Sequence, residues 1–245
     1  ILLIILLIIL YNISIKRKKK TQLVVCVYNE NINWIQNEIK KYKKIYIYCK
    51  NIHRFKQINK DFKNTKVNVI YLKNIGSCDH VYLYHIINNY NNLDDYIQFC
   101  KGTNQLRKHF CIYFQMNLNP CTYFISKIST LIYHLKSFSL QNWKFTHNKN
   151  INAKFHKSKF QNLEQYLLSL FSKKSVNNLF SYYLHPFFFT GYFVVSKNNI
   201  QKYDKKIYEK LINYEEPYPN REIDHFHERI WTLLFTNILK NPFDE

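Results

Sequence analysis

Asn74 to Asn104 reads NIGSCDHVYLYHIINNYNNLDDYIQFCKGTN, and this stretch decides the fold that we expect. A loop containing Gly76 is followed by a helix-like run, Asp79 to Tyr90, with apolar residues on its faces. A polar turn then leads into a short apolar run of strand type, Tyr96 to Cys100, which stops before Gly102. Loop, helix, turn and strand in this order predict half of a βαβ unit.

The two glycines of this stretch, Gly76 and Gly102, are two of only three in 245 residues. Glycine adopts positive φ readily and lets a ligand or another backbone come close. Each lies just beyond a predicted strand, and ligands of open α/β sheets bind outside the carboxyl ends of the strands. The two glycines therefore either border a ligand or merely close turns.

Three more apolar runs have the length of buried strands, namely Leu23–Tyr28, Ile45–Cys49 and Val67–Leu72. Runs that are apolar throughout are typical of parallel strands covered on both faces. Together with Tyr96–Cys100 they alternate with helical or loop segments, which predicts an α/β fold, a three-layer sandwich with a mainly parallel sheet. We expect these four strands to be adjacent in that sheet.

The later part of the chain contributes further predicted elements. Helical spacing of apolar residues favours helices at Leu163–Phe180, Ile200–Tyr214 and Ile223–Leu239. A strand pair or bent strand is expected at Phe187–Ser196, around the third glycine. Because we find no internal repeat and no long linker, residues 21–245 are expected to form one domain.

The chain is strongly basic, with a net charge of +20. That charge suggests an anionic partner, which could be nucleic acid, an acidic membrane surface or a phosphorylated ligand. The lysines are spread along the chain, however, and an AT-rich coding sequence would also enrich lysine, so we do not expect nucleic acid as the partner. None of the six cysteines forms a CxxC pair, which favours neither a zinc framework nor a disulfide framework.

The amino terminus is wholly apolar from Ile1 to Leu10 and remains largely apolar to Ile15, followed by the basic cluster Lys16–Lys20. About fifteen residues fall short of the roughly 20 needed to span a bilayer. We nevertheless expect residues 1–20 to be a membrane anchor with a basic collar, contacting the membrane through residues 1–15. The positive-inside rule then places the domain on the cytoplasmic side. The alternative is a buried core segment.

Polar residues follow each of the predicted parallel strands: Tyr28-Asn29-Glu30, Lys50-Asn51, Asn74–Ser77 and Lys101–Asn104. In a parallel sheet these groups meet at one rim, where backbone N–H groups and a lysine can bind phosphate. The sequence therefore favours a nucleotide site at this rim. The Gly-rich, HExxH and GxSxG motifs are absent from the sequence.

Several other polar residues of the sequence are candidates for a functional site. Asp94 and Asp95 precede their strand, so we expect them at the opposite rim, in a solvated turn. His225 and His227 are two positions apart and would face different sides of a helix, so they cannot share one metal ion. Glu228 is a carboxylate on a largely apolar helix, which favours either a general base or a structural ion pair.

A set of motifs in fixed order resembles an uncharacterised, glycosyltransferase-like domain family found in fungal and large-virus proteins. The motifs are the Asn74–Gly102 part of the opening stretch, VVCVYNENINWI (Val24–Ile35), IYIYCKN (Ile45–Asn51), GYFVVSKNNI (Gly191–Ile200) and ERIW (Glu228–Trp231). The resemblance covers most of Leu23–Asn237. It implies a Rossmann-like fold of the type A glycosyltransferases, which move a sugar from a nucleotide sugar to an acceptor hydroxyl.

The resemblance also implies roles for individual residues. Glu228 would be the candidate base, and Lys101 and Gly102 would lie near the diphosphate or the acceptor. The nucleotide would be contacted by Tyr28, Asn29, Glu30, Lys50 and the loop from Asn74 to Gly76. Apart from the resemblance, we name Asp79 as the second candidate for deprotonating the acceptor hydroxyl.

Two positions depart from the expected family pattern. Ser77-Cys78 stands where an Arg-Glu pair is expected, and Lys101 stands where a Gln is expected. Such folds often hold the diphosphate through a divalent ion, Mn²⁺ or Mg²⁺, but neither place carries the Asp-x-Asp metal motif. The alternative function is a basic, non-catalytic binding module for nucleic acid or an anionic membrane.

Overall fold

The computed structural model describes residues 21–63, 65–103, 136–139, 156–181, 191–215 and 221–235. The strands of this part are β1 (Thr21–Val27), β2 (Lys44–Cys49), β3 (Val67–Tyr71), β4 (Tyr96–Lys101) and β5 (Phe193–Ser196). The helices of the first half are α1 (Trp34–Glu38), α2 (Ile52–Asp61) and α3 (Cys78–Asn89), with a short 3₁₀ turn at Tyr90–Asn92. Those of the second half are α4 (Leu163–Leu168), α5 (Lys173–Ser181), α6 (Lys197–Gln201), α7 (Lys205–Ile212) and α8 (Glu222–Phe235).

The strands form a five-stranded sheet in the order β3-β2-β1-β4-β5. The first four pair in parallel, so that Val24 lies between Tyr46 and Phe99. Only β5 runs antiparallel, with Phe193 opposite Phe99. This confirms the predicted fold class, a Rossmann-like α/β sandwich with a mainly parallel sheet, and the predicted adjacency of four strands.

Apolar layers cover both faces of the sheet because successive strand residues point to opposite sides. On β1, Val24 belongs to the core that contains α3 and α8, whereas Leu23 and Val25 belong to the core that contains Ile35 of α1 and Ile58 of α2. All five of these side chains are fully buried. Burial on both faces explains why the central strand β1 is apolar from Leu23 to Val27, whereas the edge strand β3 is partly exposed and contains Asn68.

Two predicted long helices are each interrupted in the structure. The helix expected at Leu163–Phe180 is split into α4 and α5, and Ser172 Oγ accepts a hydrogen bond from Ser175 N at the break. The helix expected at Ile200–Tyr214 is split into α6 and α7, and the Asp204 side chain caps α7 by accepting from Lys206 N. Short polar side chains that bind nearby N–H groups start a new helix at such places.

The predictions of a membrane anchor, a membrane span and a membrane localisation are not supported by the structure and are withdrawn. Among the described residues, no helix is both long enough and apolar enough to cross a bilayer. The segment that prompted the expectation, residues 1–20, lies outside the described ranges, as do residues 187–190 of the predicted bent strand.

Candidate functional site

A cleft of about 650 Å³ lies at the carboxyl ends of the parallel strands. The chain builds the sheet outward from β1 to β3 and then returns to place β4 on the other side of β1. The carboxyl ends of β1 and β4 therefore form a topological switch point, where ligands of open α/β sheets bind. Tyr28, just beyond β1, and Lys101, the last residue of β4, line the cleft, whose size suits a small ligand.

Most of the predicted site residues come together in this cleft. Those that line it are Tyr28, Glu30, Lys50, Asn74, Gly76, Asp79, Lys101 and Glu228. Asn29 and Gly102 do not line it: Asn29 Oδ1 accepts a 2.6 Å hydrogen bond from Asn51 Nδ2, and the carbonyl of Gly102 accepts one of 3.0 Å from Trp34 Nε1. Both contacts brace the rim of the cleft.

The turn after β1 is held by Glu30. Its Oε2 accepts hydrogen bonds from the backbone N–H of Tyr28 at 2.6 Å and of Asn29 at 3.1 Å. These bonds hold the backbone of the turn, and Tyr28, which is 46% exposed, lines the cleft and offers an aromatic face to a ligand.

Lys50 holds the loop that follows β3. Its ammonium group donates hydrogen bonds to the carbonyl of Ile75 at 2.6 Å and to those of Gly76 and Ser77. An ammonium group has three N–H donors, and all three are engaged by these carbonyls. Burial lowers the pKa of Lys50. The structure thus gives Lys50 the task of shaping the cleft, although it was expected to contact the nucleotide.

Gly76 is required by the conformation of that loop. Its φ is +66°, and a Cβ added there would lie 2.3 Å from His80 Cβ and 2.5 Å from Glu215 Oε2. Gly102 has an ordinary φ, and a Cβ there would lie 3.0 Å from Glu30 Cβ. The close approach that the sequence suggested for both glycines is therefore severe at Gly76 and mild at Gly102.

We expect Gly76→Ala to lower the free energy of unfolding more than Gly102→Ala does. The backbone conformation alone costs about 1–2 kcal/mol for a residue with a Cβ, and the contacts with His80 and Glu215 add to this. Urea unfolding followed by circular dichroism measures both variants. Equal losses in the two variants would contradict this role of Gly76.

Asp79 is buried at the start of α3 and ties that helix to α8. Its Oδ1 accepts a 2.6 Å hydrogen bond from Trp231 Nε1, and its Oδ2 accepts one of 2.6 Å from Ser77 Oγ. Asp79 is 1% exposed. Both carboxylate oxygens already accept hydrogen bonds. Asp79 therefore positions Trp231 and Ser77.

Glu228 has a different environment on α8. Its side chain is 18% exposed, and His225 Nδ1 lies 3.9 Å from its Oε2. Burial lowers the pKa of His225 to about 4, so this imidazole is neutral at pH 7 and does not neutralise Glu228. Burial, followed by the nearby carboxylate of Asp79, raises the pKa of Glu228 to about 8, and Lys101 only partly opposes this. The structure therefore holds a carboxyl group with an unusually high pKa at the cleft.

The rest of α8 packs as the sequence predicts. Ile230, Leu233 and Leu234 are fully buried, which anchors the helix to the core. Arg229 lies 3.5 Å from the centre of the Phe138 ring and donates to the carbonyl of His225, away from the cleft. Arg229 is thus not the structural ion-pair partner that was the alternative interpretation of Glu228.

Two residues of the cleft, Arg221 and Asp224, were not predicted from the sequence. Arg221 Nη2 donates to both carboxylate oxygens of Asp224, at 2.8 and 3.0 Å, and both residues line the cleft. Burial, followed by the charge of Glu215, raises the pKa of Asp224 to about 7. The helical spacings Arg221–Asp224 and Asp224–Glu228, three and four residues, were the signal that could have found them.

A buried chain of polar groups supports Arg221 from behind. Arg221 Nη2 lies 3.5 Å from Glu215 Oε2, and Glu215 Oε1 lies 2.8 Å from His227 Nδ1. His227 Nε2 in turn lies 2.6 Å from the hydroxyl of Tyr166. Burial alone would raise the pKa of Glu215, but His227 and Arg221 hold it below its ordinary value. This network fixes the guanidinium group at the cleft.

The remaining candidates lie where the sequence places them. Asp94 pairs with Lys43 ahead of β2, at the amino ends of the strands, so Asp94 and Asp95 are at the opposite rim from Asn29, which confirms the predicted position. The expected solvated turn is wrong for Asp94, which is buried beside Lys43, whereas Asp95 is exposed. His225 lines the cleft, whereas His227 contacts Glu215 and Tyr166. The expectation that these two histidines face different sides is also confirmed.

Asp79 and Asp224, two carboxylates of the cleft, do not fit the divalent ion that the resemblance implies, because their oxygens already accept hydrogen bonds. Both oxygens of Asp79 accept hydrogen bonds from Trp231 and Ser77, and both oxygens of Asp224 accept them from Arg221. Within the described ranges, no group of three or more His, Cys, Asp or Glu residues is arranged to hold a metal ion. We therefore derive no chemical step that passes through a metal.

Comparisons with known proteins complete the description of the site. A search of curated proteins and a search of solved structures each found no significant match. A family model matches residues 23–242, which include β2 to β5, most of β1 and the residues that line the cleft. The chain therefore belongs to the family described as "Protein of unknown function (DUF3431)".

Proposed function

We propose that the cleft binds a nucleotide sugar and transfers its sugar to an acceptor hydroxyl. The observation that carries the proposal is Glu228, a largely buried carboxyl group with a pKa of about 8, in a cleft at the switch point of a parallel sheet. Nucleotides bind at such switch points, and catalytic bases have pKa values near the working pH. The class of reaction is taken from the resemblance of the motif order to an uncharacterised, glycosyltransferase-like domain family.

The proposed reaction is a displacement at the anomeric carbon of the donor sugar. Glu228, in its carboxylate form, takes the proton of the acceptor hydroxyl while the acceptor oxygen forms a bond to that carbon. The bond between the carbon and the diphosphate oxygen breaks, and the nucleoside diphosphate leaves with the electron pair. Lys101, which lines the same cleft, stabilises the negative charge that develops on the leaving oxygen.

Other residues of the cleft fit supporting roles in this reaction. Tyr28 presents an exposed aromatic face on which the base or the sugar can stack. Asp79, the other candidate base, has both oxygens engaged by Trp231 and Ser77, so we assign it to positioning and keep Glu228 as the base. Lys50 and Lys101 follow parallel strands and line the cleft, a placement that favours the enzyme over a non-catalytic basic module.

A thermal-shift screen of nucleotide sugars against the full chain tests this proposal. A donor present at 100 times its Kd should stabilise the folded chain by about 2.7 kcal/mol, and nucleosides without the diphosphate sugar should not. Binding in a formed cleft should change little between about 50 and 200 mM salt, whereas nucleic-acid binding should fall steeply. No stabilisation by any nucleotide sugar, combined with salt-sensitive nucleic-acid binding, would overturn the proposal in favour of the binding module.

A further inference from the structure

Arg221 carries hydrogen-bond donors that the described protein does not satisfy. Its side chain is only 3% exposed, yet the residue lines the cleft. Nη2 is engaged by Asp224 and lies near Glu215, but Nε and Nη1 are buried without a hydrogen-bond partner among the described residues. A buried, charged group with unpaired donors is unfavourable unless something supplies acceptors.

The position of the guanidinium group is fixed before any ligand arrives. Asp224 accepts from it through both carboxylate oxygens, and Glu215 is held behind it by His227 at 2.8 Å. Arginine cannot lose its proton in a protein, so the unpaired N–H groups remain donors with a full positive charge. An acceptor entering the cleft would therefore meet a preorganised cation.

The chemistry of these donors matches a phosphoryl group. Arginine presents a planar array of N–H donors that suits phosphate oxygens, and the resulting charge-assisted hydrogen bonds are strong. Lys101 lines the same cleft, and its Nζ donates no hydrogen bond within the described part of the chain. Asp224 and Glu215 offset part of the charge of Arg221 at Nη2, but the buried Nε and Nη1 have no acceptor among the described residues.

We infer that Arg221 is the phosphoryl-binding residue of the cleft and that its Nε and Nη1 donate to the diphosphate of the donor. The identity of the donor rests on the proposed function, whereas a phosphoryl subsite at Arg221 does not depend on sugar transfer. Together with Lys101, Arg221 supplies the positive charge that the expected divalent ion would otherwise supply.

Calorimetric titration of inorganic pyrophosphate into the full chain tests this inference. Arg221→Lys keeps the charge but removes the donor array, and Arg229→Lys is the matched control, because Arg229 is also buried but lies over Phe138 outside the cleft. We expect Arg221→Lys to weaken binding by about 10- to 100-fold and Arg229→Lys by less than about threefold. Equal effects in the two variants, or no binding by the wild type, would overturn the inference.

A second variant keeps the test decisive if Arg221→Lys does not fold. Asp224→Asn keeps one side-chain oxygen that accepts from Arg221 Nη2 and removes a negative charge next to it. At about pH 8, where most of the wild-type Asp224 is ionised, pyrophosphate should therefore bind several-fold more tightly to the variant. Unchanged or weaker binding would contradict a phosphoryl subsite at Arg221. Pyrophosphate binding that depends on Arg221, without turnover of any nucleotide sugar, would retain the subsite and remove the proposed transfer. Turnover of a nucleotide sugar that Arg221→Lys leaves unchanged would retain the proposed transfer and remove the phosphoryl subsite at Arg221.

Discussion

Glu228→Gln is expected to lower turnover by about 10²- to 10⁴-fold while nucleotide-sugar binding is retained. Gln has nearly the shape of Glu but cannot take the proton of the acceptor, so only the chemical step is lost. Release of nucleoside diphosphate gives kcat, and titration of the donor gives Kd. Glu209→Gln is the control, because Glu209 is an exposed partner of Lys205 on α7, and it should leave both constants unchanged.

The stability of Glu228→Gln separates a catalytic role from a structural one. Burial raises the pKa of Glu228 from 4.5 to about 8 in the folded chain, so the unfolded chain loses this proton at lower pH. The contribution of Glu228 to stability is therefore present below pH 4.5 and is lost as the pH rises to about 8. Gln does not ionise, so Glu228→Gln should gain stability relative to the wild type between these pH values. A lower melting temperature throughout, with unchanged turnover, would show a structural role instead.

Asp79→Ala is expected to lower the free energy of unfolding by about 3–5 kcal/mol, since two hydrogen bonds to a buried charge are lost. The Trp231 N–H, which donates to Asp79 Oδ1 at 2.6 Å, would be left buried without its partner. Chemical denaturation with fluorescence and circular dichroism measures the loss. Asp61→Ala, at an exposed site on α2, is the control and should cost less than about 0.5 kcal/mol.

The outcome for Asp79 also bears on which carboxylate is the base. If Asp79 were the base, Asp79→Asn would keep the stability of the fold and abolish turnover, as expected for Glu228→Gln. A loss below about 1 kcal/mol in Asp79→Ala would likewise contradict the positioning role, because that role depends on both buried hydrogen bonds.

The sheet could be predicted from the sequence because its signal is local. Each parallel strand contains a short, mostly apolar run bounded by polar residues, and the central strand β1 is buried on both faces from Leu23 to Val25. The helix breaks near Ser172 and Asp204 were missed, because a helical spacing of apolar residues continues across them. Only the side-chain hydrogen bonds at Ser172 and Asp204 show that a new helix begins.

The candidate site was predicted where it depends on strand ends and missed where it depends on distant contacts. Lys101 and Tyr28 follow strands, so their meeting at one rim was foreseeable. The network of Arg221, Glu215 and His227 was not, because it is stabilised by Tyr166, which is 61 residues from His227 in the chain. The sequence also does not show in which direction a side chain points. The hydrogen bonds of Lys50 with the loop carbonyls could therefore be found only in the structure.

A crystal structure of the full chain with the nucleotide sugar that most stabilises it tests the central claim most directly. We predict the nucleotide at the carboxyl ends of β1 and β4, the diphosphate beside Lys101 and Arg221, and the anomeric carbon facing Glu228. A ligand bound elsewhere, such as at the Asp94 rim, or a sugar directed away from Glu228 would contradict the account.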